Sequence, residues 1–136
     1  MLVFPETFLP GYPYFIECFP PLAQVAGLTA YREASVEADG PEIQAIQCAA
    51  QSAGVAVVLG ISERMRDGHT LFNSQVFIDV DGARLGVHRK LQPTYVERIV
   101  WAQGGGYTLN VFDSIIGKIG VDLRRSYWVS TGLSPM

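Results

Sequence analysis

The sequence has few cysteines, few basic residues and no long apolar run, and each shortage excludes a class of protein. Its two cysteines, Cys18 and Cys48, cannot build a disulfide framework, and no cysteine–histidine pair has zinc-finger spacing. The 10 lysines and arginines against 13 aspartates and glutamates leave a net charge of −3, which argues against a nucleic-acid-binding surface. The longest apolar run, residues 54–61, has the length of a strand and is too short to span a membrane.

The amino terminus lacks the features of a signal peptide, because it has no basic region and carries Pro5 and Glu6 early. Together with the scarcity of cysteine, this favours a cytoplasmic protein. We expect no membrane partner, no nucleic-acid partner, no cofactor and no metal site.

Apolar residues, by contrast, are abundant. They make up 49% of the 136 residues and give a mean hydropathy of +0.20, which excludes a disordered chain. The length fits one domain, and the apolar content is high for a domain of that size. No linker or internal repeat marks a second domain.

The order of predicted elements is strand, helix, strand, hairpin, hairpin, which indicates an α/β fold with a mixed sheet. A short buried strand ends at Pro5, and an aromatic-rich, irregular loop follows. Pro41 opens a helix that Gly54 ends, and we expect Cys48 on that helix to lie in the core. The remaining predictions are a buried strand at 55–61, a hairpin at 71–87 around Asp81-Gly82, and a second hairpin at 108–121 around Asp113-Ser114.

Three polar residues are candidates for chemistry, each with a plainer interpretation beside it. Glu6 follows a strand end, where α/β proteins place sites, but it is equally typical of a solvated turn. Lys90 ends a hairpin strand and is able to stabilise negative charge, although an exposed edge lysine is the simpler interpretation. Glu97 by itself is typical of a surface residue, and neither cysteine has an evident activating neighbour.

Two segments together resemble the signatures of nitrilases, members of the carbon–nitrogen hydrolase superfamily. Residues 4–13 (FPETFLPGYP) resemble the first signature, and residues 88–94 (HRKLQPT), continuing through Glu97 to Trp101, resemble the second. Their order and separation match the family. Residues 71–74 (LFNS) resemble the strand entry between the two signatures, and residues 117–120 (GKIG) the lead-in to the third.

This resemblance implies a partial α-β-β-α sandwich, with a mixed sheet and hairpins, that assembles into homo-oligomers. It implies hydrolysis of carbon–nitrogen bonds other than peptide bonds, in which a small-molecule nitrile becomes a carboxylate plus ammonia through a cysteine thioimidate and thioester. By the family pattern Glu6 is the general base, Lys90 the cation at the tetrahedral intermediate, and Glu97 a supporting glutamate. We therefore expect Glu6 and Lys90 to approach each other across the strand ends.

The family's nucleophile is missing from its expected place, because Arg124 stands near the position of the cysteine. We interpret residues 1–120 as the N-terminal to central part of a carbon–nitrogen hydrolase domain and residues 121–136 as a divergent tail. A shifted reading frame is one explanation. Residues 121–125 can be encoded GTC-GAT-CTG-CGG-CGA, which one base later reads Ser-Ile-Cys-Gly, the family's nucleophile motif.

Two hypotheses follow for this chain. The first is a nitrilase-family hydrolase that is inactive in this form, because its nucleophile is absent. The second is a non-catalytic binding or assembly module with the same fold. As part of a larger sandwich, the chain is expected to leave apolar faces of strands such as residues 55–61 exposed and to associate through them.

Overall fold

Residues 1–120 are described in the computed structural model, and they form a four-stranded sheet, a separate two-stranded hairpin and three α-helices. Three short 3₁₀ helices connect these elements, at Pro21–Gln24, Tyr95–Ile99 and Gly106–Thr108. The helices and strands are β1 (Leu2–Val3), α1 (Phe15–Cys18), α2 (Val25–Ala34), α3 (Pro41–Ala53), β2 (Val57–Arg64), β3 (Leu71–Ile78), β4 (Arg84–Arg89), β5 (Phe112–Ser114) and β6 (Gly117–Ile119).

The sheet has the order β1-β2-β3-β4, and it is mixed as predicted. Strand β1 runs parallel to β2, whereas β2, β3 and β4 are successive antiparallel neighbours. Strand β2 runs to Arg64, beyond its predicted end, because Ser62 and Arg64 continue to pair with Asn73 and Leu71 of β3. Strand β1 pairs with the first two residues of β2, so the chain that leaves its carboxyl end continues in the direction in which β2 runs.

Helix α3 forms where the sequence predicts it, for local reasons. Pro41 occupies its first turn, and Gly54 ends it in the left-handed conformation at φ 62°. Ile43 and Ala50 point to the sheet and are buried. The prediction that Cys48 lies in the core is wrong, because that position of α3 is exposed.

The two faces of the sheet are covered differently. We call the side under α3 the helix face and the other side the hairpin face. The helix face carries the main apolar cluster, which includes Val57, Leu59, Ile61, Val76 and Ile78. On the hairpin face, the β5–β6 hairpin packs near one end of the strands, with the Phe112 ring 4.8 Å from that of Phe77.

This packing overturns the expectation that residues 55–61 are exposed. Val58, Leu59 and Ile61 are at most 2% exposed, because α3 covers one face and the hairpin and loops cover the other. Exposed apolar side chains lie at the edge strand β1, where Leu2 and Val3 are 53% and 38% exposed, and in loops and short helices, where Leu22 is 91% exposed.

Other differences from the predicted elements are local. Helix α2 lies in a stretch for which the sequence indicated no element, and it buries only Tyr31. The predicted loop at 7–21 contains the single turn of α1, and the second hairpin turns at Ile115-Ile116 rather than at Asp113-Ser114. The predicted tail, including Arg124, lies outside the described residues. Within residues 1–120, no helix is long and apolar enough to cross a membrane.

Candidate active site

Glu6 lies just beyond the carboxyl end of β1, where the chain crosses closely over β2. A Cβ on Gly60 would collide with the carbonyl oxygen of Pro5 and come within 2.8 Å of the Glu6 Cα. Only glycine therefore lets the backbone before Glu6 pack directly on β2. Beyond the crossing the chain rejoins the sheet, because the amide of Ser62 donates to the carbonyl of Leu9 at 2.8 Å.

The loop after Glu6 is held in an unusual backbone conformation. Thr7 is completely buried and has a φ of 49°, a region that residues other than glycine seldom occupy. The hydroxyl of Tyr31 on α2 donates a hydrogen bond to the carbonyl of Gly11 at 2.8 Å, which ties the loop to the helix. Burial raises the pKa of Tyr31 to about 12, against hydrogen bonds with Ser62 and Thr7 that lower it. Tyr31 therefore remains a neutral donor at physiological pH.

Lys90 follows β4 directly, and its side chain is fully buried. Its backbone amide donates to the carbonyl of Asn73 at 2.8 Å, and its carbonyl accepts from the amide of Gly104 at 2.9 Å. A Cβ on Gly104 would collide with the carbonyl oxygen of Arg89, so this second chain crossing also requires glycine. The plainer interpretation of Lys90 as an exposed edge residue does not hold.

Glu97 is also buried, because its short helix is turned toward Lys90 by a capping box. Thr94 caps the 3₁₀ helix Tyr95–Ile99, and its backbone amide donates to Glu97 Oε2 at 2.6 Å. The same Oε2 lies 3.0 Å from Lys90 Nζ, and Oε1 accepts from Nζ at 3.1 Å. The capping box thus fixes Glu97 against Lys90 rather than at the surface.

The three predicted residues meet in one buried cluster, which we call the Glu–Lys–Glu cluster. Lys90 Nζ lies 2.9 Å from Glu6 Oε2 and 3.0 Å from Glu97 Oε2, although Glu6 and Lys90 are 84 positions apart in sequence. The side chains of the two glutamates are only 13% and 10% exposed. Two carboxylates around one ammonium leave the cluster one negative charge in excess.

Asn73 belongs to the same cluster and was not among the predicted site residues. It lies on β3, 1% exposed, and its Nδ2 donates to Glu6 Oε2 at 2.9 Å. A signal for it existed in the sequence, since asparagine is depleted in strands and this one lies in a predicted hairpin strand. The family resemblance of residues 71–74 indicates a strand entry and assigns Asn73 no role.

The arrangement suits proton transfer beside a fixed positive charge. Glu6 Oε2 is occupied by Lys90 and Asn73, whereas Oε1 is buried and accepts no hydrogen bond from residues 1–120. A carboxylate oxygen of this kind can take a proton from a thiol or a water, and the adjacent ammonium can stabilise developing negative charge.

Neither cysteine of the described residues is buried with the cluster. Cys18 and Cys48 are both exposed, whereas the Glu–Lys–Glu cluster is buried. Arg124, which stands near the expected cysteine position, lies outside residues 1–120. In that range no group of three or more histidines, cysteines, aspartates and glutamates is placed to hold a metal ion.

Known proteins with similar sequences share this segment. The carbon–nitrogen hydrolase family matches the chain over residues 1–123. An aliphatic nitrilase of Rhodococcus rhodochrous is 43% identical over 121 residues, which is 88% of this chain and 32% of that protein. A bromoxynil-specific nitrilase of Klebsiella pneumoniae subsp. ozaenae is 40% identical over 120 residues, 88% of this chain and 34% of that protein. The chain thus spans about a third of the length of these curated relatives.

Solved structures show the same fold. A branch 10 member of the nitrilase superfamily from Saccharomyces cerevisiae superposes with a TM-score of 0.66 at 22% identity, over 89% of this chain and 41% of that one. A carbon–nitrogen hydrolase from Helicobacter pylori G27 superposes with a TM-score of 0.62 at 24% identity, over 89% of this chain and 38% of that one.

Proposed function

This chain belongs to the carbon–nitrogen hydrolase family, and we propose that it is part of a nitrilase that converts a small-molecule nitrile to a carboxylate and ammonia. The observation that carries the proposal is the buried Glu–Lys–Glu cluster, in which Lys90 Nζ lies within 3.0 Å of both Glu6 and Glu97. The similarity to proteins named as nitrilases supports the choice of a nitrile substrate.

In the proposed reaction a cysteine thiol attacks the nitrile carbon. Glu6 Oε1 takes the thiol proton, since Oε2 is already bonded to Lys90 and Asn73. Lys90 stabilises the negative charge that develops on the nitrile nitrogen, and a thioimidate forms. One water adds and ammonia leaves to give a thioester, and a second water then releases the carboxylate.

Glu97 plays a supporting role in this proposal. It bonds both the Lys90 ammonium and the backbone amide of Thr94, and it therefore helps to hold the ammonium in place. It also offsets the loss of hydration that the fully buried lysine suffers.

The departure at Arg124 supports a second candidate, a non-catalytic module that keeps the fold without the nucleophile. Assembly into homo-oligomers belongs to both candidates as a proposal. The shifted-frame hypothesis is compatible with both candidates. It explains how a chain derived from an active nitrilase lacks the nucleophile and is inactive. Sequencing the encoding DNA tests that hypothesis, because codons other than those required at residues 121–125 remove it.

Ammonia release from a panel of aliphatic and aromatic nitriles tests the activity. We expect no ammonia release from this 136-residue chain. The product of the coding DNA read in the shifted frame after residue 120 is expected to release ammonia and carboxylate in equal amounts. Glu6→Gln and Lys90→Met should each abolish this release, because they remove the base and the cation.

Lys118→Met is the matched control for Lys90→Met, because Lys118 also pairs with a carboxylate but is 72% exposed. It should leave ammonia release unchanged. If this 136-residue chain releases ammonia and continues to do so after Cys18 and Cys48 are alkylated, a cysteine mechanism is contradicted. Turnover that alkylation abolishes would assign the nucleophile to one of these two residues.

A further inference from the structure

The two oxygens of the Glu6 carboxylate are treated unequally. Oε2 accepts two hydrogen bonds, from Lys90 Nζ and from Asn73 Nδ2, both at 2.9 Å. Oε1 is buried to less than 1 Å² of accessible surface and accepts none from residues 1–120. Rotation of the carboxylate away from this angle would break both bonds, so the direction of the donors decides which oxygen position stays open.

Lys90 alone does not fix the orientation of the Glu6 carboxylate. Its ammonium is a compact charge with three donors on a flexible stem, and it attracts either oxygen equally well. The same ammonium also pairs with Glu97 at 3.0 Å, so it does not serve Glu6 alone. Selection of one oxygen requires a donor with a fixed direction.

Asn73 has that fixed direction. It lies within β3, pairs with Ser62 of β2, and its carbonyl accepts from the amide of Lys90 at 2.8 Å. Both neighbouring strands therefore constrain its backbone, and a planar amide on a short side chain has few alternatives. Its Oδ1 is buried and accepts no hydrogen bond from residues 1–120, so the amide is not held for the sake of that oxygen.

We propose that Asn73 is a positioning residue that fixes the Glu6 carboxylate, so that Oε1 and not Oε2 is the oxygen that takes the proton. This inference deepens the proposed function and rests on it. It gives a catalytic reason for an asparagine in a buried strand, where an apolar residue would pack at lower cost.

NMR spectroscopy of the 136-residue chain tests the orientation without requiring activity. We expect a scalar coupling across the hydrogen bond between Asn73 ¹⁵Nδ2 and the Glu6 carboxyl carbon. The shift of the Asn73 side-chain amide should follow the same pH curve as that carbon. The coupling should persist on the acid side of the curve, because the proton is taken by Oε1. Loss of the coupling on protonation would mean that Oε2 takes the proton, and it would overturn the proposal.

Asn73→Leu and Gln75→Met form a matched pair of variants. Both replace a buried amide by an apolar side chain of similar size, two positions apart on the same face of β3, and neither adds a charge. We expect Asn73→Leu to change the chemical shift of the Glu6 carboxyl carbon, because it removes the donor to Oε2, and Gln75→Met to leave that shift unchanged. Equal effects, or none, would contradict a specific role for Asn73. If Asn73→Leu fails to fold, the coupling in the unsubstituted chain still decides the question.

These measurements keep the two proposals separate. Absence of ammonia release from the shifted-frame product, with the coupling intact, would contradict the proposed function alone. Release of ammonia without the predicted coupling would contradict only the role of Asn73.

Discussion

Arg89 and Lys90 are consecutive in sequence, and each is paired with buried carboxylate, but their surroundings differ. Arg89 lies on the helix face, where its guanidinium makes a bidentate pair with Glu63 at 2.7 and 2.6 Å. The Ser74 hydroxyl donates to the same carboxylate at 2.7 Å, and the ring of Phe72 lies 4.3 Å under the guanidinium. Lys90 lies on the hairpin face between two carboxylates.

The Arg89 pair is complete and the Lys90 cluster is not. One cation faces one anion on the helix face, and every oxygen of Glu63 is bonded. On the hairpin face one cation faces two anions, and Glu6 Oε1 accepts no hydrogen bond from the described residues. A balanced, saturated pair is what structural ion pairs require, because unpaired buried charge is costly. A carboxylate with an open acceptor oxygen is what a general base requires, because that oxygen must take a proton.

The largest expected effect comes from removing the shared cation. Lys90→Met leaves Glu6 and Glu97 buried and facing each other, and the free energy of unfolding should fall by about 3–5 kcal/mol. Urea unfolding followed by tryptophan fluorescence measures this. Lys118→Met, at an exposed pair with Asp113, should produce no resolvable change. Equal effects of the two substitutions would refute the contrast between buried and exposed lysines.

A smaller effect on stability is expected from Gly60→Ala, which disturbs the Glu–Lys–Glu cluster but not the Arg89–Glu63 pair. The added Cβ collides with the backbone at Pro5 and Glu6 and should lower the free energy of unfolding by about 2–3 kcal/mol. NMR shifts should move at Glu6 and Lys90 and stay in place at Glu63 and Arg89. Changes of similar size on both faces would show that the two charge clusters are not independent.

Asp79 extends the comparison to a buried acid that forms no salt bridge within residues 1–120. Burial opposes its ionisation, but hydrogen bonds from Ser114 Oγ at 2.6 Å and from the amides of Ile115 and Val80 outweigh burial and lower its pKa. Asp79→Asn should lower the free energy of unfolding by about 1–2 kcal/mol near neutral pH.

The pH dependence of that loss has a defined sign. Because the pKa of Asp79 is lower in the folded state, its contribution is present above the ordinary value of 3.8 and disappears as the pH falls through the folded value. Urea unfolding of the chain and of Asp79→Asn from pH 6 down to pH 2 should therefore converge in acid. A difference that grows in acid would contradict the assignment.

Tyr31 gives the smallest expected effect, a buried acid that stays neutral. Tyr31→Phe removes the hydroxyl that donates to the Gly11 carbonyl, which should cost about 1 kcal/mol. Since burial raises its pKa to about 12, unfolding becomes easier as the pH rises from 10 toward 12. Ultraviolet titration should show one phenol ionising late, and Tyr31→Phe should remove that step. An unchanged titration would assign the late step elsewhere.

Much of the fold was predictable because its causes are local. Pro41 and Gly54 mark the ends of α3, and the Asp81-Gly82 turn predicts the β3–β4 hairpin. Helix α2 was not predictable in the same way, because it buries one residue and shows no clear apolar face. The exposure of Cys48 was mispredicted, because an apolar pattern alone does not say which side of a helix faces the sheet.

The sequence by itself determined most of the elements, the family resemblance, the three charged residues of the site and the expectation that Glu6 and Lys90 meet, since these depend on residue types at fixed spacing. Only the tertiary structure decided that Lys90 is fully buried and that Asn73 joins the two residues. The physical reason is register. The pairing of β3 with β2 and β4, together with the chain crossing over Gly60, sets which side chains share a face, and neither is encoded in any short segment.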